Sequence, residues 1–333
     1  PTRGVRVTVL QYAGFIQNPV QELASTLTMI QGAQASAERV QSLLDADIEI
    51  RDSEEVLERI AKWRAAGALP AGMAEDGQAS RIETIEFRNV SFAYKEGQTV
   101  LRGFNLTVKA GQSIALVGPT GGGKTTIVGL ACRFYEPTEG QVLINGVDYR
   151  QRSLRWLQSQ LGIVLQQPHL FSGTIRENIR YGRLDASDAE IENAARMVNA
   201  HEFITGLKDG YEAQVGEGGN QLSTGQKQLI SLARAIIANP QVFVMDEATS
   251  SVDTQTERTI QAAIENVLEN RISFVIAHRL STIKSADRIL VISRGQIVED
   301  GTHHELILQR GHYYELYTNQ FTHESEEKVL ATE

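Results

Sequence analysis

The sequence of 333 residues contains a single cysteine, Cys132. One thiol cannot form an intrachain disulfide, and it excludes a zinc site built from several cysteines. No run approaches the roughly 18 consecutive apolar residues of a membrane-spanning helix, so we predict that this chain does not cross a bilayer by itself. A secretory signal pattern is missing and Pro1 stands where an initiator Met would be, so we expect a fragment or a processed product.

Basic residues are outnumbered, with 32 Lys and Arg against 41 Asp and Glu and a net charge of −9. Affinity for phosphodiesters depends on Lys and Arg, so this balance argues against a nucleic-acid-binding surface. The hydrophobic fraction of 41% is typical of a globular protein. The length predicts two domains, or one large domain with an appended segment.

The N-terminal region has a helical pattern. Between residues 20 and 44, apolar side chains recur at steps of three, four or seven residues, which places them on one stripe of a helix: Val20, Leu23, Leu27, Ile30, Ala37, Val40 and Leu44. This spacing alone favours an amphipathic packing helix. A second helix is predicted to begin at Asp52 or Ser53, to bury Val56, Ile60 and Trp63, and to end at Gly67. Residues 69–80 contain turn formers without periodicity and are interpreted as a linker.

From residue 81 the pattern changes to short apolar runs of the β type, at 85–87, 104–108, 114–117, 163–165, 242–245, 272–277 and 289–292. Helical stretches separate many of them, which predicts a mostly parallel sheet covered on both faces. We therefore assign residues 81–320 to one α/β domain with a helical insertion at about 167–240, and residues 321–333 to a flexible tail.

A glycine-rich segment follows the run at 114–117 and precedes a helical stretch. It fits the phosphate-binding pattern G-x-x-x-x-G-K-[ST] with Gly118, Pro119, Thr120, Gly121, Gly122, Gly123, Lys124 and Thr125. Glycines allow backbone N–H groups to turn towards phosphates, and the following helix N-terminus favours negative charge. Lys124 is expected to bind the β- and γ-phosphates, and the Thr125 hydroxyl to bind Mg²⁺.

Two carboxylates, Asp246 and Glu247, end the apolar run at 242–245. A carboxylate at the C-terminal end of a parallel strand beside a phosphate loop suits a Mg²⁺ ligand, which is the role we predict for Asp246. Glu247 is placed to activate or orient a water for attack on the γ-phosphate. Without the phosphate loop, the pair would be equally compatible with a helix cap.

The order of further motifs resembles that of the ATP-binding cassette (ABC) ATPases. Residues 222–226 (LSTGQ) resemble the signature motif, and residues 250–253 (SSVD) resemble the D-loop. Gln166 is similar to the Q-loop glutamine, His278 to the switch histidine, and Tyr94 to the aromatic residue that stacks on adenine. Taken singly, each of these residues could be structural. Their joint order over residues 90–280 carries the resemblance.

This resemblance implies an α/β fold of the P-loop NTPase class in its ABC form. That form has a mostly parallel sheet flanked by helices, a small antiparallel β subdomain and a helical insertion. It further implies ATP and Mg²⁺ as cofactors. Glu247, His278, Lys124 and Gln166 would be catalytic, and Thr125, Gln166 and Asp246 would hold the metal. ATP would contact Tyr94, residues 118–126 including Thr126, Gln166 and His278 of one cassette, and residues of an opposing cassette, namely Ser223, Gly225, Gln226 and Asp253.

The resemblance extends to exporter-type cassettes of half-transporters. Residues 5–44 look like the end of a last transmembrane helix with its cytoplasmic extension, and residues 215–219 (VGEGG) are similar to the exporter loop that meets the membrane domain. This implies that residues 1–50 end a transmembrane domain and that residues 51–80, with their short helix, link it to the cassette. It also implies a second cassette, identical or different, and a place at the cytoplasmic face of the plasma (inner) membrane. Thr224 departs from the usual glycine of the signature.

The activity implied is ATP hydrolysis that powers export of a multidrug, lipid or peptide-like substrate. Two alternatives remain open on the residues alone. One is a soluble ABC ATPase acting on nucleic acid or ribosomes, against which the net charge of −9 and residues 5–44 argue. The other is a regulatory module that binds ATP without turnover, against which the presence of Glu247 and His278 argues.

Overall fold

The computed structural model describes residues 3–67, 69–95, 97–247, 254–277 and 279–319. The chain forms two compact units, Pro1–Arg51 and Asp52–Glu333. The first unit is dominated by helix α1 (Arg3–Leu44), which begins earlier than the predicted residue 20 and continues through Pro19. Its apolar stripe is exposed, with Val20, Leu23 and Leu27 between 58% and 66% accessible. Within the described part of the chain, none of the helices combines the length and the apolar character needed to cross a membrane.

The second unit alternates strands and helices. Its strands are β1 (Thr84–Ala93), β2 (Thr99–Lys109), β3 (Ser113–Val117), β4 (Glu139–Ile144), β5 (Val147–Asp148), β6 (Leu161–Val164), β7 (Val242–Asp246), β8 (Ile272–Ile276), β9 (Arg288–Ser293) and β10 (Gln296–Gly301). Its helices are α2 (Glu54–Ala65), α3 (Lys124–Ala131), α4 (Leu154–Ser159), α5 (Ile175–Arg180), α6 (Asp188–Met197), α7 (His201–Gly206), α8 (Thr224–Ile236), α9 (Thr254–Leu268), α10 (Leu280–Ser285) and α11 (His303–Gln309). Residues 312–319 are also helical.

A six-stranded sheet forms the centre of this unit, in the order β10-β9-β3-β8-β7-β6. All neighbouring pairs are parallel except β10 with β9. Every residue of β3 and β8 is buried, which explains their uninterrupted apolar runs. The strands predicted at 114–117, 163–165, 242–245, 272–277 and 289–292 are confirmed. Strand β10 was not predicted, because it lies at the sheet edge and its sequence, QIVEDG, contains no buried apolar run.

A four-stranded antiparallel sheet, in the order β2-β1-β4-β5, packs on one side of the central sheet. The expected strands around Ile85 and Leu106 are confirmed as β1 and β2. Strands β4 and β5 were missed, because the first half of β4 is exposed and polar. The turn between them is Asn145-Gly146, where both residues have positive φ (51° and 79°), as a two-residue hairpin of type I′ requires. The Asn-Gly pair was the available signal for this hairpin.

The two faces of β3 enter different cores. Ile114 and Leu116 pack with the antiparallel sheet, whereas Ala115 and Val117 pack with the helical side. Between β6 and β7 the chain forms helices α5 to α8, within the region predicted as a helical insertion. Helices α5, α6 and α8 each begin with a reciprocal capping box between the N-cap side chain and a Glu or Gln three residues later.

Residues 52–67 and 69–80 belong to the same compact unit as the cassette and are hydrogen-bonded to it through Asp52, Arg59 and Asp76. Helix α2 follows the N-cap Ser53 and buries Val56 completely, as predicted, whereas Ile60 and Trp63, also predicted to be buried, are only partly buried. Residues 69–80, predicted as a linker, include the fully buried Asp76. Its Oδ2 atom accepts hydrogen bonds from Arg152 Nε and from the Ser153 backbone N–H, both at 2.9 Å. Polar contacts therefore fix this segment, which is why a search for apolar periodicity did not find its packing.

We predict that Asp76→Ala lowers the free energy of unfolding by about 3 kcal/mol, since it leaves the buried Arg152 cation without its carboxylate. This is the low end of the usual cost, because Arg152 keeps its hydrogen bond to the Ala79 carbonyl and its contact with Trp156. Urea unfolding of the purified chain measures the change.

The matched control is Glu192→Ala, which removes one partner of an exposed ion pair with Arg196. It should change the free energy of unfolding by no more than about 0.5 kcal/mol. Equal losses in the two variants would contradict the structural importance assigned to Asp76.

Candidate functional site

The glycine-rich loop connects the buried strand β3 to helix α3. Gly118 has a φ of 133°, and a Cβ atom there would lie 2.2 Å from the Ile292 carbonyl oxygen of β9. Gly123 is the N-cap of α3 with a φ of 107°. Any other residue would be strained at both positions. The loop therefore stays close to β9 and turns directly into the helix N-terminus.

Lys124 lies inside this loop and is only 8% exposed. Its ammonium donates hydrogen bonds to the carbonyl oxygens of Gly118 (2.7 Å) and Pro119 (3.0 Å). Burial lowers the pKa of Lys124, and the negative charge of Asp246 acts in the opposite direction. A phosphate oxygen is a stronger acceptor than a carbonyl for such a charged donor. The loop thus presents a cation and a helix N-terminus, both suited to an anionic ligand.

An aromatic group stands beside α3. Tyr94, at the end of β1, packs edge-on against Phe92 and Tyr135, with ring centroids 4.9 and 5.1 Å away. Its hydroxyl shares a hydrogen bond of 3.0 Å with the Thr126 hydroxyl. About half of its surface remains accessible, at 48%. Tyr94 is therefore a fixed ring with surface available for stacking on a planar group.

Asp246 is the last residue of β7 and Glu247 follows it, but β7 does not directly neighbour the strand that carries the loop. Strand β8 lies between β3 and β7. The prediction that the strand ending in the carboxylates directly neighbours the strand of the phosphate loop is therefore wrong, because β8 separates the two. Asp246 is still near enough to influence the pKa of Lys124. Residue Glu247 is completely buried, and its N–H donates to the Ile276 carbonyl (3.1 Å).

The Glu247 carboxylate has partners that the sequence analysis did not identify. The Arg279 backbone N–H donates to Oε2 (2.9 Å), and the Thr282 hydroxyl donates to Oε1 (2.7 Å). Arg279 is the N-cap of α10, and Thr282 lies in its first turn. No sequence signal linked these residues to Glu247, since about 30 residues separate them along the chain.

Of the remaining predicted site residues, the structure describes some and not others. Gln166 is exposed and follows β6, the neighbour of β7, where the chain enters the helical insertion. Thr125 is exposed in the first turn of α3. His278 and Asp253 lie outside the described residues.

The predicted Mg²⁺ ligands are the Thr125 hydroxyl, the Gln166 amide and the Asp246 carboxylate, all of which offer oxygen donors. These are the ligand types that Mg²⁺ prefers. Among the described residues, no group of three or more His, Cys, Asp and Glu side chains could hold a metal by itself. This donor set fits a Mg²⁺ ion that completes its coordination with phosphate oxygens and water.

The signature residues belong to the start of α8. Ser223 is the N-cap, its Oγ accepts from the Gln226 N–H (3.2 Å), and its own N–H donates to the Gln226 side chain (3.0 Å). Thr224 is exposed at the first helical position, and Gly225 is buried. In the described ranges, no hydrogen bond or ion pair joins residues 223–226 to residues 118–126. The described contacts of one chain therefore do not bring the signature and the phosphate loop together.

Comparison with known proteins gives a consistent result. The ABC transporter family model matches residues 101–250. The chain is 45% identical to the ATP-dependent lipid A-core flippase of Syntrophus aciditrophicus, over 98% of this chain and 51% of that protein. It is 43% identical to the fatty acid ABC transporter ATP-binding/permease protein of Mycobacterium bovis, over 95% of this chain and 47% of that protein.

Among solved structures, a bacterial Atm1-family ABC exporter with ATP bound matches with a TM-score of 0.72 and 38% identity, covering 88% of this chain and 48% of that one. The chain spans about half the length of the curated relatives it matches. Together with the glycine loop, the buried lysine and the carboxylates that follow β7, these matches show that the chain belongs to the ABC transporter family and contains its ATP-binding cassette.

Proposed function

We propose that this chain binds and hydrolyses ATP as the energy-converting part of an exporter, with each ATP held between two cassettes. The observation that carries the proposal is the buried Lys124 in its glycine loop, close to Asp246 at the end of β7, with Glu247 directly after that strand. Among the described residues, no hydrogen bond or ion pair links residues 223–226 to the glycine loop, which supports the second half of the proposal, since the signature of another cassette would then complete the site.

In this proposal, one cassette supplies most of the contacts to ATP. Lys124 and the N–H groups of residues 118–126 bind the phosphates, and Tyr94 stacks on adenine. Thr125, Gln166 and Asp246 hold Mg²⁺, which when bound neutralises charge on the phosphate oxygens. Asp253 and His278 complete the predicted set at the D-loop and the switch position.

The signature of the second cassette closes the site in this proposal. Ser223 accepts a hydrogen bond within its capping box, so its own hydroxyl hydrogen remains to be donated to a γ-phosphate oxygen. Gly225 and Gln226 lie in the first turn of α8, whose N-terminus favours negative charge. The carboxylate of Glu247 accepts a proton from the attacking water, while Lys124, Gln166 and His278 stabilise or sense the γ-phosphate.

The proposed partners are a second cassette, identical or different, and the transmembrane domains that it drives. We assign residues 1–50 to the end of such a domain, 51–80 to the connection, 81–320 to the cassette and 321–333 to a tail. The proposed place is the cytoplasmic face of the plasma (inner) membrane. A lipid flippase and a fatty acid transporter among the relatives favour an amphipathic lipid-like cargo. The net charge of −9 supports a function without nucleic acid.

We predict that Tyr94→Ala raises the KM for ATP about tenfold, because stacking on a base contributes about 1–3 kcal/mol. Tyr94→Phe is the matched control: it keeps the ring and loses only the hydrogen bond to Thr126, so its KM should stay within about twofold of the parent value. Steady-state phosphate release measures both. An unchanged KM in the alanine variant would contradict the stacking role.

We predict that Glu247→Gln lowers kcat for ATP hydrolysis by about 10²- to 10⁴-fold, the usual contribution of a general base. ATP binding should persist, because the glycine loop is unchanged. The variant should therefore accumulate in its ATP-bound, closed form. Light scattering with and without Mg-ATP measures whether the chain changes from monomer to dimer.

Dimer formation would support a homodimeric transporter. ATP binding by a chain that stays monomeric would require either a different partner subunit or the transmembrane domain to close the site. A Glu247→Gln chain that hydrolyses ATP at the parental rate would contradict the role of Glu247. Tight ATP binding by the parent without phosphate release would favour a regulatory module instead.

A further inference from the structure

The environment of the Glu247 carboxylate is unusual for a group that must meet water. Glu247 is 0% exposed. Its Oε2 atom accepts from the Arg279 backbone N–H and its Oε1 atom from the Thr282 hydroxyl, and the Arg279 guanidinium forms an ion pair with Oε1 (Nε at 3.8 Å). Thr282 is itself buried, at 1% exposure. In this arrangement a water molecule of the bulk solvent has no access to the proposed base.

The Thr282 hydroxyl lies between two acceptors that belong to different elements. Its Oγ1 atom is 2.7 Å from Glu247 Oε1 and 3.2 Å from Gln261 Oε1 on helix α9. A threonine hydroxyl carries one hydrogen, so it donates fully to only one of them at a time. The shorter distance and the negative charge favour Glu247. Gln261 is the alternative acceptor if the carboxylate moves away.

We propose that Thr282 is a positioning residue that holds Glu247 in a buried, inactive orientation, and that Gln261 accepts the Thr282 hydrogen when Glu247 turns towards the attacking water. This inference rests on the proposed function of Glu247 as the base. Residues Glu247, Gln261, Arg279 and Thr282 are called the carboxylate network below.

Transfer of the Thr282 hydrogen bond to Gln261 keeps the free-energy cost of releasing Glu247 low. A buried hydroxyl that lost its only acceptor would be costly, whereas here a second oxygen is already within hydrogen-bond distance. The Arg279 N–H belongs to the N-cap of α10, so Glu247 also meets the positive end of that helix. Movement of α10 relative to β7 would therefore release both donors together. Closure of a second cassette on the site is the event that we expect to move it.

The first test is Thr282→Val, which keeps the branched shape and removes the hydroxyl. We expect basal kcat for ATP hydrolysis by this chain to rise about tenfold, the change expected when one hydrogen bond to a charged group is lost from the inactive orientation. The KM for ATP should be unchanged, because Thr282 contacts the carboxylate and not the glycine loop. Thr282→Ser, which restores the hydroxyl, should return kcat to the parental value.

The second test is Gln261→Met, which should change kcat in the opposite direction from Thr282→Val. Removing the alternative acceptor should lower kcat, since the Thr282 hydrogen then has only Glu247. Ser281→Ala is the control, because the exposed Ser281 hydroxyl donates to Gln261 and has no hydrogen bond to Glu247. It should leave kcat close to the parental value.

The variants separate failure of the inference from failure of the proposed function. An inactive Glu247→Gln chain together with a Thr282→Val chain no faster than the parent would overturn the inference alone. A Glu247→Gln chain with the parental rate would overturn both. The double variant Glu247→Gln/Thr282→Val must stay inactive, because the expected acceleration acts through Glu247. A Gln261→Met chain as fast as the parent or faster would also overturn the handover.

Discussion

The close parallel packing of β3 against β9 is the constraint on which the site depends. The Ile292 carbonyl of β9 would lie 2.2 Å from a Cβ atom at Gly118, so only glycine allows the loop to leave the strand in this direction. The Gly295 N–H then donates to the Gly122 carbonyl (2.9 Å), which ties the loop to the end of the same strand. Lys124 is consequently buried against the loop backbone, and its ammonium is held where phosphates are expected.

Sheet order decides which groups can meet at the carboxyl ends of the strands. Because β8 lies between β3 and β7, the carboxyl end of β8 lies between the strand ends that carry the glycine loop and the carboxylates. Three residues separate the end of β8 from the start of α10, and the N-terminal end of α10 contacts the Glu247 carboxylate. This explains why residues at the N-terminus of α10, Arg279 and Thr282, supply donors to Glu247 although they are more than 30 positions away along the chain.

Sequence alone predicted the features whose residues are adjacent along the chain. The glycine loop, the pair Asp246-Glu247 and the buried strands each occupy one short segment, and the fold class followed from their alternation with helices. The rest depends on contacts between distant residues. The packing of residues 69–80 rests on Asp76 and Arg152, 76 positions apart, and the partners of Glu247 are more than 30 positions away. The position of β8 between β3 and β7 likewise depends on which strands pair with each other, and these strands are far apart along the chain. The early start of α1 was missed because Gly14 and Pro19 usually interrupt helices.

The signature serine shows how one side chain can support both the fold and the proposed chemistry. Ser223 uses an acceptor lone pair to cap α8, and Gln226 returns the hydrogen bond to the Ser223 N–H. Capping holds the serine oxygen at the N-terminus of the helix, the end with positive dipole charge, as an acceptor, so the hydroxyl hydrogen takes no part in the cap. Thr224 at the following position is exposed and continues the helix without a glycine's entropic cost. The departure from the usual signature thus stabilises the helix start, while its side chain adds bulk on the surface that would face the phosphates of a second cassette.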